Sequence, residues 1–178
     1  MRQVVLYQLL SVDGVAEEPG NWVFDVDEEV FANLGRVIER QDDVLLGRGT
    51  YDYWAGYWPT SDVEPFAGFI NGVPKHVLTS TPLTPPWQNS SAVHAPAVEH
   101  VSALKQSRAG DIGVHGSITL ARSLLAAGLV DELRLVVAPT VAGAGRRLFE
   151  RGDLRRLDLR DARATPTGTL LLHYRVPG

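Results

Sequence analysis

The chain has no cysteine among its 178 residues. That excludes disulfides, thiol nucleophiles, thiolate zinc sites and cysteine-ligated clusters, and it suits a reducing compartment. Long apolar runs are missing too. "QVVLYQLL" near the start is too short to cross a bilayer, and it leads to Asp13 and the pair Glu17, Glu18 instead of a small-residue cleavage site. A cytoplasmic protein with no membrane partner is expected. Charge of one sign is not in large excess: 17 basic and 21 acidic residues, mixed along the chain, leave a formal −4 and no field that would gather nucleic acid. There is no Gly-x-Ser-x-Gly elbow, no P-loop and no His-Glu-x-x-His, and the five histidines show no metal-ligand spacing. A small-molecule partner and no metal are the expectation.

What is present is an alternation. "QVVLYQLL", "DDVLLG", "KHVLTS", "DIGV" and "ELRLVVAPTV" read as buried strands, and between them lie helical patterns. From Asp25 to Arg40 the apolar residues Val26, Val30, Phe31, Leu34, Val37 and Ile38 recur at spacings of three and four, with acids early in the helix. Further helices are predicted from about Ala97 to Ser107 and from Ser117 to Ala127, the latter closed by Gly128. Strands and helices in alternation imply an α/β fold with a mostly parallel sheet. At the end "RLDLRDARA" and "TLLLHYRV", joined by "TPTG", predict an antiparallel hairpin bulged in its first strand. The proline-rich "STPLTPPWQNS" reads as a surface loop, and residues 1–178 read as one domain.

Ligands of open α/β sheets gather where parallel strands end, so three loops draw the eye. "GRGT" at 47–50 offers Gly47 for close backbone approach, Arg48 as a forked cation and Thr50 as a hydroxyl. "LTST" at 78–81 offers hydroxyls that serve a nucleotide or their own backbone. "GVHGSITLARSLLAAG" at 113–128 places Gly113 and Gly116 around His115 and turns helical at Ser117, which fits either a serine-capped corner or an anion seat. All three loops lie along one edge of one sheet, an arrangement suited to an extended dinucleotide.

On "LLSVDGVA", "DDVLLGRGTYDYW" and "GVHGSITLARSLLAAGLVDELRLVVAPTVAGAGRRLF" the chain resembles the dihydrofolate-reductase-like superfamily. Within it, the nearest likeness is to stand-alone relatives of the C-terminal reductase domain of riboflavin-biosynthesis enzymes. The resemblance implies a three-layer fold with a mostly parallel sheet of about eight strands and an antiparallel C-terminal hairpin. It implies NADPH as cofactor, a pyrimidine- or pteridine-like substrate, hydride transfer and a homodimer. By match of motif, Gly47, Arg48 and Thr50 form the cofactor turn, with Arg48 on the adenosine-side phosphate, and Thr79 and Ser80 lie by the adenine end. Val114 and the run Gly116, Ser117, Ile118, Thr119 and Leu120 form the pyrophosphate seat. The segment Val12 to Val15, with Gly14, covers the nicotinamide. Dihydrofolate reductase proper, or a relative that binds NADP without turnover, are the alternatives.

Hydride transfer needs a dry, shaped site and a proton source, not a protein nucleophile. Asp13, Asp25 and His115 are the candidate acids, each with an ordinary structural role open to it: a turn, a helix cap and a satisfied ring. Asp27 is a candidate for the ring-binding carboxylate. Tyr51 and Trp54, in an aromatic cluster that runs on through Tyr53, Tyr57 and Trp58, and Trp22 apart from it, either pack in the interior or wall a pocket for a flat ring. Arg146 and Arg147 meet either a substrate phosphate or solvent.

Overall fold

The structure is a computed structural model describing residues 1–150, 152 and 154–178. Its frame is an eight-stranded sheet, in which β-branched and leucine-rich runs pair as expected. The strands are β1 (Val4–Leu10), β2 (Gln41–Gly47), β3 (Lys75–Leu78), β4 (Ser90–Val93), β5 (Asp111–His115), β6 (Glu132–Val137), β7 (Asp158–Ala164) and β8 (Leu170–Arg175). Their order is β4-β3-β2-β5-β1-β6-β8-β7. The first six in that order run parallel, and β8 and β7 close the sheet antiparallel, with the expected bulge between Leu159 and Asp161.

Helices cover both faces: α1 (Glu28–Ile38), α2 (Arg48–Tyr57), α3 (Phe66–Gly72), α4 (Ala97–Lys105) and α5 (Ile118–Ala126). Alternation along each strand splits the core. Val4, Leu6, Leu45, Ile112 and Val114 pack under α4 and α5, while Val44, Leu46 and Val77 pack with Tyr51, Phe66 and Ile70 of α2 and α3. Val5 and Tyr7 face Val30 and Val37 of α1. No helix among the described residues is long and apolar enough to cross a membrane.

Two boundaries differ from the sequence reading. The helix predicted from Asp25 begins at Glu28, because Asp27 is the residue whose carboxylate accepts from the Val30 N–H at 3.1 Å. Ser117 does not cap α5 with its hydroxyl. It adopts a left-handed conformation, φ 52°, and its hydroxyl is used elsewhere. Gly128 closes α5 as predicted, at φ +68° with its N–H on the Leu125 carbonyl.

Candidate active site

The register that pairs Leu45 with Val114 brings Gly47 level with Gly116, so the β2–α2 and β5–α5 corners stand side by side. They are tied together. The Gly47 N–H donates to Ser117 Oγ at 3.0 Å, and the Ser117 N–H donates to Thr50 Oγ1 at 3.1 Å. Gly116 turns the chain at φ +59°, where a side chain would be strained, above Thr50 and Trp54. The consecutive left-handed pair Gly116–Ser117 aims the first N–H groups of α5 outward. Among the described residues the N–H groups of Ile118, Thr119 and Leu120 have no acceptor, which is the usual condition of an anion-binding helix start. The side chains of Val114, Ile118 and Leu120 are in the core, so only their backbone faces this edge, while Thr119 is exposed.

Beside this corner Arg48 reaches the loop after β3. Its Nε donates to Asp52 at 2.6 Å, and its Nη1 donates to the Pro82 carbonyl at 2.9 Å and to the Thr81 hydroxyl. Thr79 Oγ1 accepts from the Thr81 N–H at 3.2 Å, and Ser80 is exposed. Arg48, Thr79 and Ser80 therefore share one region, as expected. The sequence reading included Thr81 only as part of "LTST" and did not single out Asp52. Asp52 stands four residues after Arg48 on α2, a spacing at which opposite charges meet.

The exit of β1 is fastened to the exit of β6. The Val12 N–H donates to the Thr140 carbonyl at 2.8 Å and the Leu148 N–H to the Gly14 carbonyl at 3.1 Å, with Gly14 at φ +81°. Asp13 accepts from the Ser11 hydroxyl at 2.7 Å, the Ala142 N–H at 2.9 Å and the Gly143 N–H at 3.0 Å. Those donors, the Ser11 hydroxyl foremost, hold its pKa at about 2, so Asp13 is an ionised staple. Arg147 donates to the Asp13 carbonyl at 2.9 Å, and Arg146 pairs with Glu17 at 2.6 Å, so both arginines fasten loops. Trp22 lies beneath this segment, 5% exposed and packed with Val15 and Ala138, its Nε1 donating to the Glu17 carbonyl at 2.9 Å.

For several candidates the structure selects between roles that the sequence left open. Tyr51 has no exposure: it is in the core beside Trp87, its hydroxyl donating to the Pro85 carbonyl at 2.7 Å, so it walls no pocket. Trp54 packs edge-on against Trp58 and Phe66 and supports Gly116 from below. Asp25 is exposed and is not a cap. Asp27 caps α1 and also accepts from the Thr167 hydroxyl at 2.8 Å in the β7–β8 turn, and hydrogen bonds from Thr165 and Thr167 hold its pKa at about 2.

His115 is 2% exposed, with Phe66, Tyr7 and Phe69 at centroid distances of 5.1, 5.7 and 5.9 Å. Its Nε2 meets Gln41 Oε1 at 2.7 Å, and burial pushes its pKa down to about 3, so the ring is neutral at pH 7. This pair also explains Gly113. A Cβ there would stand 2.2 Å from Gln41 Oε1 and 2.9 Å from His115 Nε2, so Gly113 makes room for side chains and not for a phosphate.

A mostly parallel α/β sheet closed by an antiparallel C-terminal hairpin, with two helix starts, a cation and a hydroxyl loop on one edge, defines a protein of the dihydrofolate-reductase-like fold class. The profile of the RibD C-terminal domain family matches residues 2–172, and the chain belongs to that family. It is similar to two Bacillus subtilis (strain 168) proteins: "Uncharacterized protein YyaP", 27% identical over 155 residues with 83% of this chain and 80% of that protein covered, and "Uncharacterized protein YwjB", 27% identical over 151 residues with 83% of each covered. Among solved structures, a putative riboflavin biosynthesis protein from Shewanella sp. PV-4 shares the fold at TM-score 0.77 and 19% identity, with 99% of both chains covered. The Thermotoga maritima diaminohydroxyphosphoribosylaminopyrimidine deaminase/5-amino-6-(5-phosphoribosylamino)uracil reductase aligns at TM-score 0.73 and 15% identity, over 99% of this chain and 57% of that one.

Proposed function

We propose that the chain is an NADPH-dependent reductase of a pyrimidine- or pteridine-like ring, of the kind that reduces 5-amino-6-(5-phosphoribosylamino)uracil. The observation that carries this reading is the locked pair of helix starts, Gly47–Ser117–Thr50, with three unclaimed N–H groups beside it. These donors fit a pyrophosphate, and Arg48 fits the further phosphate that separates NADPH from NADH. The cofactor supplies the hydride. The chain's part is to seat the pyrophosphate at residues 116–120, to hold the adenosine side between Arg48 and the loop at 79–82, and to keep the β1 exit fixed through Asp13. Phosphate binding at Arg48 competes with Asp52, so the guanidinium exchanges one anion for another. Water is the proton source in this reading, since Asp13 and Asp27 are ionised and His115 is buried and neutral. The same observation favours, as a second reading, a relative that binds NADP without turnover. A homodimer goes with either reading, and light scattering measures it.

Fluorescence titration tests the cofactor. NADPH is expected to bind at least tenfold tighter than NADH, and Arg48→Ala to remove most of that preference; equal affinities in the native protein overturn the assignment. Loss of the nicotinamide absorbance with the phosphoribosylaminouracil, dihydrofolate or a quinonoid pterin separates turnover from binding alone.

A further inference from the structure

Away from the nucleotide edge lies a cavity of about 270 Å³ between α1 and the strands β6, β8 and β7. Arg36 in the last turn of α1 and Arg40 just beyond it line one side; Arg134 of β6, Arg163 of β7 and His173 of β8 line the other. Asp161 is the one carboxylate in that lining among the described residues. The sheet registers Arg134 to His173 and His173 to Asp161, so the cavity sits across three neighbouring strands. Asp27 and Arg36 are at opposite ends of α1, roughly 13 Å apart at 1.5 Å per residue. None of the residues lining the cavity belongs to the loops that carry Gly47 and Ser117.

Its charge is not balanced from within. Arg163 pairs with Asp161 at 2.9 Å, Arg134 with Glu132 at 2.9 Å and Arg40 with Asp111 at 3.2 Å, while Arg36 has no ion-pair partner among the described residues. Glu132 and Asp111 meet Arg134 and Arg40 from outside the lining, so Arg36 is the guanidinium left without a carboxylate among the described residues, beside three others that each share one. His173, 3.1 Å from Glu132, has its pKa lowered by burial first and then by Arg134, against the opposing pull of Glu132, so the ring feels both charges at the cavity wall. Cations brought together from a helix and two strands repel one another unless an anion joins them. The planar fork of arginine matches phosphate oxygens two at a time.

We propose that this cavity binds a small phosphomonoester, with Arg36, Arg134 and Arg163 holding the phosphate and the remaining volume taking its organic group. The site is independent of NADPH.

The test follows the His173 C2 proton by NMR, identified by its loss in His173→Gln, at constant ionic strength. Inorganic phosphate, ribose 5-phosphate and glycerol 3-phosphate are added in separate arms, with chloride as the control. A saturable shift is expected with each phosphate, accompanied by a rise in the His173 pKa, and both esters bind at least threefold tighter than inorganic phosphate. Arg36→Ala/Arg163→Ala, two exposed positions, weakens binding at least tenfold with the thermal midpoint unchanged. NADPH titrates the same in that variant and in the native protein. Chloride as effective as phosphate, or an affinity unchanged in the double variant, overturns the site. Inorganic phosphate binding as tightly as the esters overturns the ester assignment.

Discussion

Gly113→Ala is the sharpest test of the interior drawn above, because two effects of opposite sign compete there. The backbone at Gly113 is ordinary strand and not left-handed. A glycine in such a place loses more freedom on folding than alanine does, so the substitution alone stabilises by about 0.5–1 kcal/mol. The new Cβ, however, would stand 2.2 Å from Gln41 Oε1 and 2.9 Å from His115 Nε2. Gln41 and His115 are 6% and 2% exposed, so neither side chain has free space to retreat into. Overpacking of this kind costs about 1–3 kcal/mol. Separating the two side chains strands a buried hydrogen bond, at about 1–3 kcal/mol more. The contact wins, and a net loss of about 1–5 kcal/mol is expected. At about 3 °C per kcal/mol for a chain of this length, the thermal midpoint falls by about 3–15 °C. Urea denaturation followed by fluorescence and circular dichroism measures it. Repeated in Gln41→Ala, which removes the nearer obstacle, the same substitution costs less than about 1.5 kcal/mol. Equal costs in the two backgrounds, or a stabilised Gly113→Ala, would refute the packing argument.

Three further outcomes follow from the same geometry. His115 has a folded pKa of about 3 against about 6.5 unfolded, so the unfolded chain binds the extra proton. Its contribution is whole above pH 6.5 and is lost as pH falls toward 3, at about 1.4 kcal/mol per pH unit, and His115→Leu flattens the stability curve most visibly between pH 6 and 4.5, above the range where Asp13 and Asp27 titrate. Thr50→Val removes the acceptor for the Ser117 N–H, and NADPH affinity measured by fluorescence is expected to fall about tenfold, roughly 1.4 kcal/mol. Asp13→Asn leaves the pH profile of NADPH oxidation unchanged between pH 5 and 8 while raising KM, since Asp13 is ionised throughout; a lost acidic limb would make it the proton donor.

The sheet was legible because its strands are apolar runs with clear ends, and the bulge in β7 was legible because the alternation of "RLDLRDARA" slips phase. β4 escaped notice as four residues beginning with two serines, and α3 because Gly68 and Gly72 break its pattern. The three loops were placed correctly on one edge, since strand ends fix them. Side-chain roles were less legible. The spacing of Tyr51 and Trp54 shows that they share a helix face but not that this face meets the sheet. Asp13 meets Ala142 across 129 positions and Asp27 meets Thr167 across 140, and no local pattern announces pairs of that separation.

The β5–α5 corner shows why neighbouring residues in one motif divide so sharply. Strand alternation turns position 113 and the His115 side chain to the same inner face, where an imidazole can persist only neutral and hydrogen-bonded to a neutral amide. One residue later, φ of +59° reverses the chain and exposes backbone N–H groups. The positive potential of that edge then comes from peptide dipoles and the Arg48 guanidinium, while burial holds the imidazole of the motif neutral between pH 5 and 8. In the proposed reading, a dianionic phosphate at this edge owes the pH dependence of its binding to its own ionisation and not to His115, even though His115 is joined to the seat by a single peptide bond.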